Sequence, residues 1–410
     1  MKVVLISIGD ELLSGRTVNT NASWQGRELS NAGHHVAEVL TIGDDRSLIA
    51  QKITEASLHA DALFTTGGLG PTDDDKTTAA ICELLDCGIV LSKEQQELIL
   101  ERFQSVGREP NERSLKQAYV PEACEVILNR WGTAPGLRFR LNDTPVYVLP
   151  GVPFEMRELF NIILRDELGS ADGFYEQVWL VHGLPESVLA ERLEPVESSF
   201  SDNLSLAYLP SEGLIRLRLI RYNELKETLQ AFDHAAEEIV QRAGEWIVSD
   251  RNESLASALG RALAERGETI TTAESCTGGL IAGALTEIPG SSAYYPGGIV
   301  SYANEVKSST LHVNPATIEQ FGAVSEETAR EMATGIRLAI PADYGVAVTG
   351  IAGPGGGTAE KPVGTVWIAV ASSTGVEARL HSFRGERDVI RNYAVNAALG
   401  MALKMVRASK

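Results

Sequence analysis

Several β-rich apolar runs in this chain are followed at once by a glycine-rich loop. KVVLISI at residues 2–8 runs into GDELLSG, and DALFTT at 61–66 runs into GGLGPTDDDKT. TTAESCTGG at 271–279 carries a strand end into a helix start, and ADYGVAVT at 342–349 runs into GIAGPGGGT. A continuous apolar run bounded by turn signals reads as a parallel strand buried on both faces. Helical periodicity between such strands, as at 19–32 and 44–59, makes the class α/β. Ligands of these sheets bind outside the carboxyl ends of the strands, where the glycine loops fall.

The 410 residues exceed what one ordinary core holds, so two or three domains are expected. We divide the chain into residues 1–168, a small α+β segment at 169–250, and residues 251–410. In the middle segment Arg216, Arg218 and Arg221 alternate with apolar residues, as on a sheet with one open face. The formal net charge of −19 argues against broad binding of nucleic acid or membrane surfaces. No apolar stretch is long enough to span a bilayer, and no signal peptide is read. The four cysteines form no CxxC pair and no zinc or disulfide framework; free thiols point to the cytoplasm.

In the first domain Gly67, Gly68 and Gly70 allow close backbone approach to a ligand. Thr72 is placed to cap the following helix. Asp73, Asp74 and Asp75 read either as a solvated helix start or as carboxylates that bring a divalent metal to a pyrophosphate. Glu11 lies at another strand end and would complete such a site. In the last domain Ser275 and Cys276 are both candidate nucleophiles. Thr277, Gly278 and Gly279 are candidate N–H donors to an anion or oxyanion. GIVSYA at 298–303 reads as a strand delivering Tyr302, and a helix from Asn304 puts Lys307 in its first turn. No histidine lies in these motifs, so a Ser-Lys arrangement replaces a Ser-His-Asp triad, with Lys307 kept neutral by desolvation.

The ordered motifs GDELLSG, VNTNA, TTGGLGPTDDDKT, GTAPG and LPGVPFEM resemble the N-terminal domain of the CinA (competence/damage-inducible protein A) family. That domain is similar to the molybdopterin-binding fold, a three-layer domain. The middle segment is similar to the family's KH-like domain but lacks the GxxG loop that grips nucleic acid. TAESCTGG, GSSAYYPGGIVSYANEVK, GAVSEE, TGIAGPGGG and KPVGTVW resemble the nicotinamide mononucleotide (NMN) deamidase family, which also forms the C-terminal α/β amidase domain of CinA. The resemblance implies hydrolysis of the NMN carboxamide to nicotinic acid mononucleotide and ammonia, without a cofactor. It favours Ser275 as nucleophile, with Lys307 as base and Tyr302 as relay or positioning group. The loop with Gly350, Gly353, Gly355 and Gly356 would hold the phosphate or ribose. For the first domain it implies cleavage of ADP-ribose to AMP and ribose 5-phosphate, with a divalent metal at Glu11, Asp74 and Asp75. A pterin- or nucleotide-binding module without hydrolysis, and a non-catalytic competence or recombination scaffold, are the competing readings. A homodimer is expected.

Overall fold

The computed structural model describes residues 1–70 and 76–409. The chain divides into two compact units, Met1–Tyr175 and Glu176–Lys410.

In the first unit a six-stranded sheet runs in the order His35–Ile42, Lys2–Ile8, Ala62–Thr66, Thr144–Leu149, Gly136–Leu141, Glu125–Ile127. Its first four strands are parallel, and the last two are added antiparallel. The sheet is therefore mixed, with its parallel part where the apolar runs are longest. Lys2–Ile8 is buried along all but its first residue. Helices Thr20–Asn31 and Pro153–Ile163 pack on one face, around Leu29, Phe64 and Phe160. Arg46–Ser57 and Thr77–Leu85 pack on the other, around Ile49, Ile53 and Ile81. Asp45 and Ser92 accept the N-terminal N–H groups of Leu48 and Gln95, which sets where their helices start.

The second unit holds two sheets. A four-stranded sheet runs Leu204–Ser211, Leu214–Arg221, Tyr175–His182, Ile247–Ser249, with helices Glu186–Glu197 and Lys226–Ala243 on its apolar face. The alternation along Leu214–Arg221 is as expected: Ile215, Leu217 and Leu219 are buried, while Arg218 pairs with Glu176 on the other face. A five-stranded sheet runs Gly297–Val300, Ile270–Glu274, Tyr344–Gly350, Thr365–Ala371, Val376–Ser382. The first three strands are parallel and the last two antiparallel. Helices Leu255–Arg266 and Arg387–Ala408 cover one face, and Glu326–Ala339 covers the other.

The hairpin tip Glu212–Gly213 reaches the helix Arg387–Ala408. Asn392 donates to the Glu212 carboxylate at 2.8 Å and Asn396 to the Glu212 carbonyl at 3.0 Å. Further along that helix the His182 ring lies against Gly400, in space a Cβ would need. Burial, helped by nearby His381, pushes the His182 pKa down to about 4 from 6.5. The unfolded chain therefore binds more protons between those values, and stability falls as pH drops from 6.5 towards 4. Acidification is expected to remove up to about 3 kcal/mol from the second unit. His182→Gln should flatten that slope in urea titrations run at each pH.

Candidate functional site

Ser275 is the first residue after the strand Ile270–Glu274, and its N–H still donates to the Val348 carbonyl of the neighbouring strand. The sheet thus fixes its backbone. Lys307 is the fourth residue of the helix Asn304–Leu311, in the first turn as its spacing predicts. The two meet: Lys307 Nζ lies 3.2 Å from Ser275 Oγ. The amine also donates to the carbonyls of Ser301 at 2.8 Å and Tyr302 at 3.2 Å. Lys307 is 1% exposed, and no carboxylate pairs with its amine among the described residues. Burial holds its pKa below the usual lysine range. When neutral, the amine keeps two N–H groups for the two carbonyls and turns its lone pair towards the Ser275 hydroxyl. That is the posture of a general base.

Cys276 is 5% exposed, and burial pushes its thiol up to about 11. A protonated, enclosed thiol is a poor nucleophile at neutral pH. Cys276→Ala should leave any turnover at this site within a few-fold of wild type, and iodoacetamide should not label Cys276 in the folded protein; mass spectrometry of peptides measures the labelling.

Three expectations change. The N–H groups of Gly278 and Gly279 do not face outward. Gly278 donates to the Ser275 carbonyl, and Gly279 donates to the Glu274 carboxylate at 2.9 Å. The same carboxylate, 1% exposed, accepts from Ile281 at 3.1 Å and Ala282 at 2.8 Å. The start of the helix Leu280–Thr286 is thus answered from inside the fold. The N–H groups of Cys276 and Thr277 in this turn lie against the Cys276 sulfur and take no oxygen acceptor among the described residues. Second, Tyr302 lies beyond the end of its strand at Val300 and is 61% exposed. It brings its carbonyl to Lys307, while its hydroxyl accepts from Arg387 at 3.2 Å. Third, Gly350 is still in the strand Tyr344–Gly350, where a side chain would strike Val366. Gly353, Gly355 and Gly356 lie in the loop beyond it.

Sequence reasoning passed over Arg387 and Arg391, one turn apart at the start of the helix Arg387–Ala408. Arg387 donates to the Gly353 carbonyl at 2.6 Å, and Arg391 donates to the Thr277 carbonyl at 2.8 Å. They join the glycine loop, 34 residues away in the chain, to Tyr302 and to the turn after Ser275, 85 and 114 residues away. Two basic residues at helical spacing were the only signal, and it has no direction without the fold.

In the first unit the strand ends surround a cleft of about 630 Å³. Its lining includes Glu11, Asp44, Gly67, Gly68, Gly70 and Glu155. Gly67 has φ +105°, and a Cβ there would run into the Ile8 carbonyl, so the turn needs glycine. The Thr77 hydroxyl donates to the Gly67 carbonyl and ties the turn to the helix Thr77–Leu85. Thr72, Asp73, Asp74 and Asp75 lie outside the described residues. Among the described residues no three His, Cys, Asp or Glu side chains converge on one point. Glu11 and Asp44 are oxygen donors of the type a hard divalent cation takes.

Sequence comparison matches the first unit to one family model and the second unit to two. Residues 4–170 match the family model described as "Probable molybdopterin binding domain", residues 176–249 the damage-inducible protein CinA KH domain, and residues 252–406 the CinA C-terminal domain. The chain belongs to the CinA family. It is 40% identical over 399 residues to a CinA-like protein of Chlorobaculum tepidum, covering 94% of each chain. It is 38% identical to a CinA-like protein of Salinibacter ruber, over 97% of this chain and 98% of that one. Among solved structures, competence/damage inducible protein CihA from Agrobacterium tumefaciens is 44% identical over 39% of this chain and 99% of that chain, with a TM-score of 0.36. No helix among the described residues is long and apolar enough to cross a membrane.

Proposed function

We propose that the C-terminal domain is an amidohydrolase that converts NMN to nicotinic acid mononucleotide and ammonia. The observation that carries this reading is the buried Lys307 amine 3.2 Å from Ser275 Oγ. Ser275 attacks the carboxamide carbon as its proton passes to Lys307. The oxyanion is met by the N–H groups of Cys276 and Thr277, which exchange the Cys276 sulfur for it; the first belongs to the residue after the nucleophile. Lys307 returns the proton to the departing nitrogen, and ammonia leaves. A water then releases the acid from Ser275, with Lys307 again taking the proton. Arg387 and Arg391 supply the positive charge that a 5′-phosphate needs, and Tyr302 keeps Arg387 oriented. Incubation with NMN should yield equimolar ammonia and nicotinic acid mononucleotide, and Ser275→Ala should yield neither. Equal product from that variant would sink the reading.

For the N-terminal domain we propose metal-dependent cleavage of ADP-ribose to AMP and ribose 5-phosphate. The support is the cleft that joins a glycine turn to Glu11 at the strand ends. Glu11, with Asp74 and Asp75, would hold a divalent cation, which when bound offsets charge on the pyrophosphate. The glycine turn brings backbone close to the phosphates. AMP released from ADP-ribose with added magnesium or manganese tests this; binding without release would favour a pterin or nucleotide module.

A further inference from the structure

Glu155 stands in the first turn of the helix Pro153–Ile163 and lines the cleft of the first unit. A chain of buried amides holds it. Gln95 and Asn129 are each fully buried. The Gln95 side chain donates to the carbonyls of Asn129 and Thr133 and accepts from the Asn129 N–H. The Asn129 side-chain oxygen accepts from the N–H groups of Trp131 and Gly132. Its amide nitrogen donates to the Ala134 carbonyl and, at 2.7 Å, to Glu155 Oε2. Every polar atom of both amide side chains is thereby used. The carboxyl also occupies the space over Gly132 that any larger residue would fill. Among the described residues, Glu155 Oε1 has no partner.

The network fixes Oε2 and leaves Oε1 to accept from a ligand in the cleft that Glu155 lines. Burial pushes the Glu155 pKa up, against the Asn129 hydrogen bond and the charge of Arg102. A negative group at a helix start also cancels the field that would draw a phosphate there. The phosphate end of a nucleotide therefore belongs at the glycine turn, and Glu155 faces a part of the ligand that donates hydrogen bonds. The part of a nucleotide that donates hydrogen bonds beside its phosphates is the ribose hydroxyl pair, which an acidic side chain takes in dinucleotide-binding sites.

We propose that Glu155, oriented by Asn129, is a specificity residue that accepts hydrogen bonds from the ribose diol of a nucleoside diphosphate in the N-terminal cleft. This rests on reading that cleft as a nucleotide site. The test is calorimetric titration of the full chain with ADP and with 2′,3′-dideoxy-ADP. The wild type should bind ADP roughly 10-fold or more tightly than the dideoxy form, as hydrogen bonds to a charged acceptor allow. Glu155→Ala should bind the two alike, near the wild-type affinity for the dideoxy form, while its melting temperature falls because Asn129 loses an acceptor. Glu155→Gln, which keeps an acceptor oxygen, should retain part of the preference. If Glu155 only braced the loop at 129–134, Glu155→Ala would weaken both nucleotides equally and leave their ratio intact, overturning the proposal. Equal wild-type affinities would overturn it too, while leaving the nucleotide reading standing. Failure of the wild type to bind either nucleotide would overturn both.

Discussion

Replacing Lys307 with methionine is expected to reduce NMN hydrolysis by roughly 10⁴-fold, with little change in melting temperature. Methionine fills nearly the same volume with no polar atom. The protein loses the base and the hydrogen bonds to the Ser301 and Tyr302 carbonyls, and keeps its packing. The wild-type pH profile gives an independent readout. The active form carries a neutral amine, so kcat/KM rises tenfold per pH unit while Lys307 is mostly protonated and levels off above its pKa. Burial lowers that pKa from 10.5, so the plateau should begin below that value. Lys307→Arg should be as inactive as methionine, because a guanidinium stays charged. A flat profile with an active Lys307→Met enzyme would remove Lys307 from the chemistry.

Replacing Glu274 with alanine is expected to cost about 3 kcal/mol or more of stability in the second unit. Its carboxylate accepts three N–H groups at the start of the helix Leu280–Thr286. Each donor left unanswered in a buried place costs about 1–3 kcal/mol, less where water enters. Glu274→Gln preserves an acceptor oxygen and the shape, and should recover about half the loss. Urea unfolding followed by tryptophan fluorescence and far-UV dichroism would measure both. An alanine variant as stable as wild type would mean that this carboxylate is not what terminates the strand and starts the helix.

Much of the framework was legible in the sequence because it is written in local patterns. The parallel strands are continuous apolar runs, and Ser325 and Ser254 cap their helices as hydroxyls before a helical pattern do. Ile247–Ser249 escaped because three residues carry no periodicity, and its pairing with Tyr175–His182 supplies what the residues lack. The Ser275 and Lys307 pair was approachable because each sits at a predictable element end, 32 residues apart. The N–H donors were misassigned for a plain reason. A glycine pair at a helix start announces free donors, but whether they stay free depends on the side chain one residue before the nucleophile. Arg387, Arg391, Asn129 and Glu155 depend on contacts between distant segments, and residue spacing says nothing of these.

The Glu274 carboxylate has a consequence for what the C-terminal site can be made to accept. Where an anion is met by a helix start, its recognition is built into the main chain and is hard to redesign. Here the main-chain donors at that helix are already taken, so in the proposed reaction charge selection would fall to Arg387 and Arg391 on another helix. Side chains can be exchanged one codon at a time. On the proposed function, a preference for a charged over an uncharged substrate would therefore be adjustable without touching Ser275 or Lys307.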